Sequence, residues 1–183
     1  MSERFASQKT FEHQGLPGRL RVAMGKPWRF LTNYSFFAKA WFLPVWFMLG
    51  LAKLAIFTVS FKRLGSRLGV PVGNSPWIPL VDSSQQIRAK EISRVVQVAA
   101  RYTPWDSNCF PQAIVARLLL GWYGVPYCIY FGVRKPADSK DFDAHAWVAS
   151  GRIRVAGRSS FARYTVVAVF AEESVARALA SEG

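Results

Sequence analysis

Cysteine is scarce in this sequence: Cys109 and Cys128 are its two thiols. Two cysteines cannot build a disulfide framework. No apolar stretch with a small-residue cleavage site opens the chain, so free thiols in a reducing cytoplasm are expected. Histidine is equally rare, with His13 and His145 alone. Two Cys and two His cannot supply a four-ligand metal cluster, so neither a metal nor another cofactor is expected. Acidic groups are outnumbered, 11 Asp and Glu against 24 Lys and Arg, for a net charge of +13. Such a charge suits nucleic acid, an anionic membrane surface or an acidic peptide. Zinc-finger spacing, an RNP-type aromatic motif and a recognition helix are all missing, so nucleic acid is not expected as the partner. Apolar material is plentiful: 51% of the residues are hydrophobic and 15% aromatic, enough for the core of one domain.

The chain divides into three parts. Residues 1–35 are basic and punctuated by Gly and Pro, and read as a tail or loosely docked arm. Residues 36–80 hold an apolar helix and a linker. From Ala40 to Phe61 the single charge is Lys53, so the run is long enough to cross a membrane. Lys53 and Pro44 argue against a span. The basic Lys62, Arg63 and Arg67 would suit a helix that ends on an anionic surface. Three readings therefore stand side by side: a helix packed on the following domain, an interfacial membrane helix, and a true span. The stretch "GVPVGNSPWIPL" (69–80) reads as a linker or long loop.

Residues 81–183 have the pattern of a catalytic domain. "SSQQIRAKEISRVVQVAARYTPW" places Ile87, Ile92, Val95, Val96, Ala99 and Ala100 at helical spacing. Ser83 or Ser84 is the expected N-cap, and Pro104 ends the helix. A second helix, apolar almost all round and hence buried, is expected from about Pro111 to Gly121 or Gly124. The period then changes to two. "PYCIYFGVRK", "DAHAWVAS", "RIRVAG" and "YTVVAVF" read as four strands, with turns at "PADSKD" and "SGR". Helices followed by an antiparallel sheet make the fold class α+β.

Chemistry points to "SNCFPQA". A thiol attacks as thiolate, a form favoured by a helix N-terminus and a nearby imidazole. Cys109 stands at the head of the buried helix, where first-turn N–H groups (and the Gln112 amide) could receive an oxyanion; Asn108 adjoins it. The base must come from elsewhere, and His145 is the one histidine outside the basic tail. Strand alternation puts His145 and Trp147 on one face, a plausible cleft wall. Cys128, among aromatics with no helix behind it, reads as core. A small buried thiol and a structural strand histidine are the bland alternatives for Cys109 and His145.

Taken together, "SNCFPQAIVARLLLGWYGVPYCIYFGVRK" and "FDAHAWVASG" resemble the transglutaminase-like fold. More narrowly they resemble the lasso-peptide biosynthesis B family, the leader peptidases of that pathway. The resemblance covers roughly residues 36 to 170. It implies a papain-like core with Cys109 as nucleophile and His145 as acid–base. It also implies a ribosomally made precursor peptide as substrate and an ATP-dependent lasso cyclase that uses the freed core amine. Residues 1–35 are too short for the family's fused leader-recognition module, so a stand-alone peptidase with a separate recognition protein is expected. Two departures from the family pattern stand out. Where relatives carry a Glu after "HAWV" this chain has Ala149, and no carboxylate occurs between His145 and Glu172. Asp143 is the first candidate for a third member; Asp141, a backbone carbonyl, Ser150, Ser159 and Ser160 are others. A slow dyad, an acyltransferase using the same pair, and an inactive scaffold or binding protein remain open.

Overall fold

The computed structural model describes residues 35–59, 63, 65, 68–135, 142–157 and 163–181. The basic tail, the "PADSKD" turn, Asp141, Ser159 and Ser160 lie outside the described residues. Helix α1 (Phe36–Thr58) is capped by the Ser35 hydroxyl, which accepts from the Ala38 amide. It is followed by the two-residue strand β1 (Val70–Pro71), α2 (Ser83–Arg101) and α3 (Cys109–Trp122). Strands β2 (Cys128–Arg134), β3 (Asp143–Ser150), β4 (Ile153–Ala156) and β5 (Thr165–Ala171) come next, and α4 (Glu173–Ser181) closes the order. The five strands form one sheet in the order β1-β5-β2-β3-β4, each described pairing antiparallel. The four expected strands are present, and the fold is α+β.

Helix α2 starts one residue earlier than its serines suggest. Asp82 is the N-cap: its carboxylate accepts from the Gln85 amide at 2.9 Å, and the Gln85 side chain accepts from Asp82 N–H at 3.0 Å. This reciprocal capping box satisfies two donors where a serine would satisfy one. Helix α3 also starts earlier, at Cys109 with Asn108 as N-cap, so Pro111 sits in the third helical position. First-turn N–H groups have no carbonyl to meet, and proline is tolerated there because its missing donor is not needed.

The sheet separates two cores. On its helix side Ala146, Val148 and Ile129 pack with Ile92, Val95 and Val96 of α2, Leu119 and Leu120 of α3, and Val45 and Leu49 of α1. On the other side Cys128, Tyr130, Trp147, Ala149, Val169 and Ala171 form a second cluster with Ala176 of α4. Burial of each large apolar side chain contributes about 1.5–3 kcal/mol. Helix α1 therefore belongs to the main core through Ala38, Val45, Leu49 and Ala52, while its opposite side faces outward.

Candidate active site

Cys109 occupies the first turn of α3 and is half-buried. The loop before it is tied by Thr103, whose hydroxyl shares its one proton between the Ala100 and Trp105 carbonyls, at 3.0 and 2.9 Å, and lies 2.9 Å from the Ser107 hydroxyl. Gln112, one turn along, donates from Nε2 to the Ser107 carbonyl at 2.7 Å. That bond fixes the side chain on the cysteine loop and leaves the second Nε2 hydrogen for another acceptor. Asn108 is exposed and its side chain makes no cap bond.

Cys109, Gln112 and His145 line one cleft of about 320 Å³, together with Gln97, Ala100, Arg101 and Gly157. The cleft lies where β4 stops short. Its pairing with β3 reaches no further than Val148↔Ala156, and Gly157 follows with φ +77°. A Cβ at Gly157 would stand 2.6 Å from the Ala146 carbonyl oxygen and from Trp147 Cβ, so only glycine lets the backbone pass this close. The structure thus brings the two residues expected to carry chemistry to the same opening, from α3 and from β3.

Trp147 is not a cleft wall. It is fully buried, stacked on Tyr130 at 5.5 Å with an interplanar angle of 14°. Alternation does put it on the His145 face, but there it lies in a closed cluster against which Tyr164, Val72 of the 69–80 stretch and Val175 and Ala176 of α4 pack. His145 therefore lines the cleft and Trp147 does not. Ser150 does not orient the histidine either: it is fully buried and its hydroxyl donates to the Pro126 carbonyl at 2.7 Å.

Aromatic rings hold His145. Tyr164 stacks on one side at 5.1 Å and 28°, and Trp147 lies at 6.1 Å and 21°. Asp143, two residues earlier on the same strand face, bonds elsewhere: Oδ2 accepts from Tyr164 Oη at 2.8 Å and from Arg134 Nη2 at 2.6 Å. The Arg134 guanidinium also lies 5.1 Å from the Tyr164 ring centroid. Asp143 and Arg134 thus fix Tyr164, and Tyr164 fixes the imidazole. This aromatic brace holds the imidazole by its face, whereas a carboxylate would bond a ring nitrogen in the plane. Its room comes from Gly132, which pairs with His145 across β2–β3. A Cβ there would come within 2.9 Å of the Trp147 ring and of Tyr164 Cβ. A bulge at the same point, where β5 slips by one residue between Phe131 and Gly132, re-aims the start of that strand.

Burial pushes the His145 pKa below its ordinary value of 6.5, and the Asp143 charge opposes that shift. The neutral imidazole is therefore the favoured form near pH 7, and its Nε2 is buried without a hydrogen-bond partner among the described residues. Asp143 itself is held below the usual carboxylate range by its bonds from Tyr164 and Arg134, so it is charged wherever His145 titrates. Asp143→Asn removes the attraction that favours imidazolium, so the His145 pKa falls further, read by NMR titration of its ring protons with His13→Gln used for assignment. A rise would show that Asp143 does not act on the ring through charge. For stability, a histidine lowered on folding costs nothing above pH 6.5 and destabilises progressively as pH falls below it.

Cys128 plays the packing role expected of it. It is fully buried, and burial pushes its thiol up to about 11. Tyr164, Gly132, Gly157, Arg134, Gln97 and Arg101 were not anticipated. A glycine inside the strand "FGVRK" was a usable signal of close approach; the others carry no spacing signature. Among the described residues no group of three His, Cys, Asp or Glu is arranged to hold a metal ion.

A cysteine at the head of a buried helix, sharing a cleft with a histidine on an antiparallel sheet, is the arrangement of the cysteine-enzyme type of α+β domain. The family model of the transglutaminase-like superfamily matches residues 51–169, well over half of the chain, and the chain belongs to that superfamily. Searches of curated proteins and of solved structures find no match.

Proposed function

We propose that the protein is a cysteine peptidase that removes the leader from a ribosomally made lasso-peptide precursor. The observation that carries the reading is the shared cleft, which Cys109 lines together with a His145 held toward its neutral form and having an unpartnered Nε2. His145 accepts the Cys109 proton, and the thiolate forms a bond to the carbonyl carbon at the junction of leader and core. The oxyanion faces the first turn of α3, where N–H groups lack helical acceptors; Pro111 supplies none, and the second Nε2 hydrogen of Gln112 adds a donor. His145 then protonates the departing core amine. Water cleaves the thioester, releasing the leader as a carboxylate and restoring the thiol. A separate recognition protein would present the leader, and an ATP-dependent cyclase would join the freed amine to a side-chain carboxylate.

Incubation with a precursor peptide and its recognition protein, read by mass, tests this. Two fragments whose masses sum to precursor plus one water are expected. An intact precursor overturns the reading, and a leader joined to an added amine would assign acyl transfer instead. An inactive scaffold is favoured by one observation, the engagement of Asp143 with Arg134 and Tyr164 and not with His145. Arg101, exposed on the cleft rim, provides a second measure. Arg101→Ala is expected to raise KM for an acidic leader about two- to fivefold with kcat little changed, the scale of a solvated ion pair. An unchanged KM would remove Arg101 from leader binding.

A further inference from the structure

The outward face of α1 has no role in the cleft, and its chemistry is one-sided. Phe36, Ala40, Leu43, Phe47, Leu51 and Leu54 recur at steps of three and four residues, forming one stripe along the helix. Its large members are between 59% and 87% exposed. Ala38, Val45, Leu49 and Ala52 lie on the opposite side, packed into the main core. By length and composition α1 is also the one helix among the described residues that could cross a membrane, with 17% of its apolar window buried.

Charge says what covers the stripe. No Asp or Glu occurs from His13 to Val81. Over that stretch the charged residues are Arg19, Arg21, Lys26 and Arg29 before α1, Lys39 and Lys53 within it, and Lys62, Arg63 and Arg67 after it. An apolar stripe set in a wholly cationic segment matches an anionic bilayer surface, into which the stripe inserts while the lysines reach the headgroups. A perpendicular span does not fit the packing. The buried face runs from Ala38 to Ala52 against α2 and α3, and the Arg88 guanidinium of α2 sits 4.7 Å from the Phe37 ring centroid. Sinking α1 would carry Arg88, Lys90, Glu91 and Arg94 of α2 into hydrocarbon.

We propose that α1 is an interfacial anchor that lays the protein flat on an anionic membrane surface, with the stripe from Phe36 to Leu54 in the bilayer boundary. The test is co-sedimentation of the full chain with vesicles of phosphatidylcholine alone or with added phosphatidylglycerol. Strong binding is expected to the anionic vesicles only, falling as salt is raised. Lys39→Gln with Lys53→Gln should weaken it about 25-fold, taking about fivefold per cation. Phe47→Ser with Leu51→Ser should abolish it, with circular dichroism and urea unfolding confirming the fold. Failure to bind anionic vesicles overturns the proposal, whether a second copy or the chain's own first 34 residues cover the stripe. Equal binding to both vesicle types, or a pellet that resists alkaline carbonate as a spanning helix does, overturns it as well.

Discussion

Replacing Cys109 with Ala is expected to lower precursor cleavage about 10⁴-fold or more, the scale seen when the nucleophile of a cooperating catalytic group is removed, with little change in stability. The small stability cost follows from position. Cys109 is half-buried at the start of α3 and belongs to neither core cluster, and its neighbours Thr103, Ser107 and Gln112 fasten the loop without using its sulfur. Persistent cleavage in Cys109→Ala would remove it as nucleophile. Alkylation separates this reading from the scaffold reading. Native protein should take iodoacetamide at Cys109 and not at Cys128, whose thiol is buried and pushed up to about 11. A Cys109 that reacts near pH 6 no faster than a model thiol would point to a scaffold. His145→Ala should match Cys109→Ala in activity, because base and nucleophile act as a unit and their losses do not add.

The residues most open to reading were those whose chemistry is local. A cysteine before a proline-started apolar run announces a helix head, and the change of period from 3.6 to 2 announces the sheet; both are properties of a few consecutive residues. The helix starts moved by one or two positions: Asp82 displaces its serines through a reciprocal box with Gln85, and Asn108 is the α3 cap by backbone position alone, without a side-chain bond. The brace around His145 was illegible for a different reason. It joins Arg134 on β2, Asp143 on β3 and Tyr164 before β5, and the residues are assembled only by strand order and by the bulge at Gly132. Asp143 is among the candidates to orient the ring, but it reaches His145 through Tyr164, which no spacing in the sequence singles out. The place of Trp147 was missed because alternation assigns a face without saying what covers it. Helix α4 and the packing of Val72 and Tyr164 on that face were not foreseen, so it looked open.

Trp147→Ala is expected to cost about 3–5 kcal/mol of stability, the range for removing a buried aromatic side chain. For a domain holding roughly 5–15 kcal/mol in total, that is about a fifth or more of the whole, visible as a large fall in the urea midpoint at unchanged slope. Many parts of the second core meet at this ring. Trp147 is fully buried, stacked on Tyr130 and on His145, and tilted against Tyr164 at 6.5 Å. Gly132 and Gly157 each give up a side chain to let it in, so neither can move inward to refill the space it leaves. Trp147→Phe should cost less, because a ring remains between Tyr130 and His145. The two variants also separate packing from positioning. If the indole braces the imidazole, Trp147→Ala will depress kcat at temperatures where it is still folded, and Trp147→Phe will recover most of that loss. A cost below about 1 kcal/mol for Trp147→Ala would show that the second core closes over the gap, and that the aromatic brace does not depend on this ring.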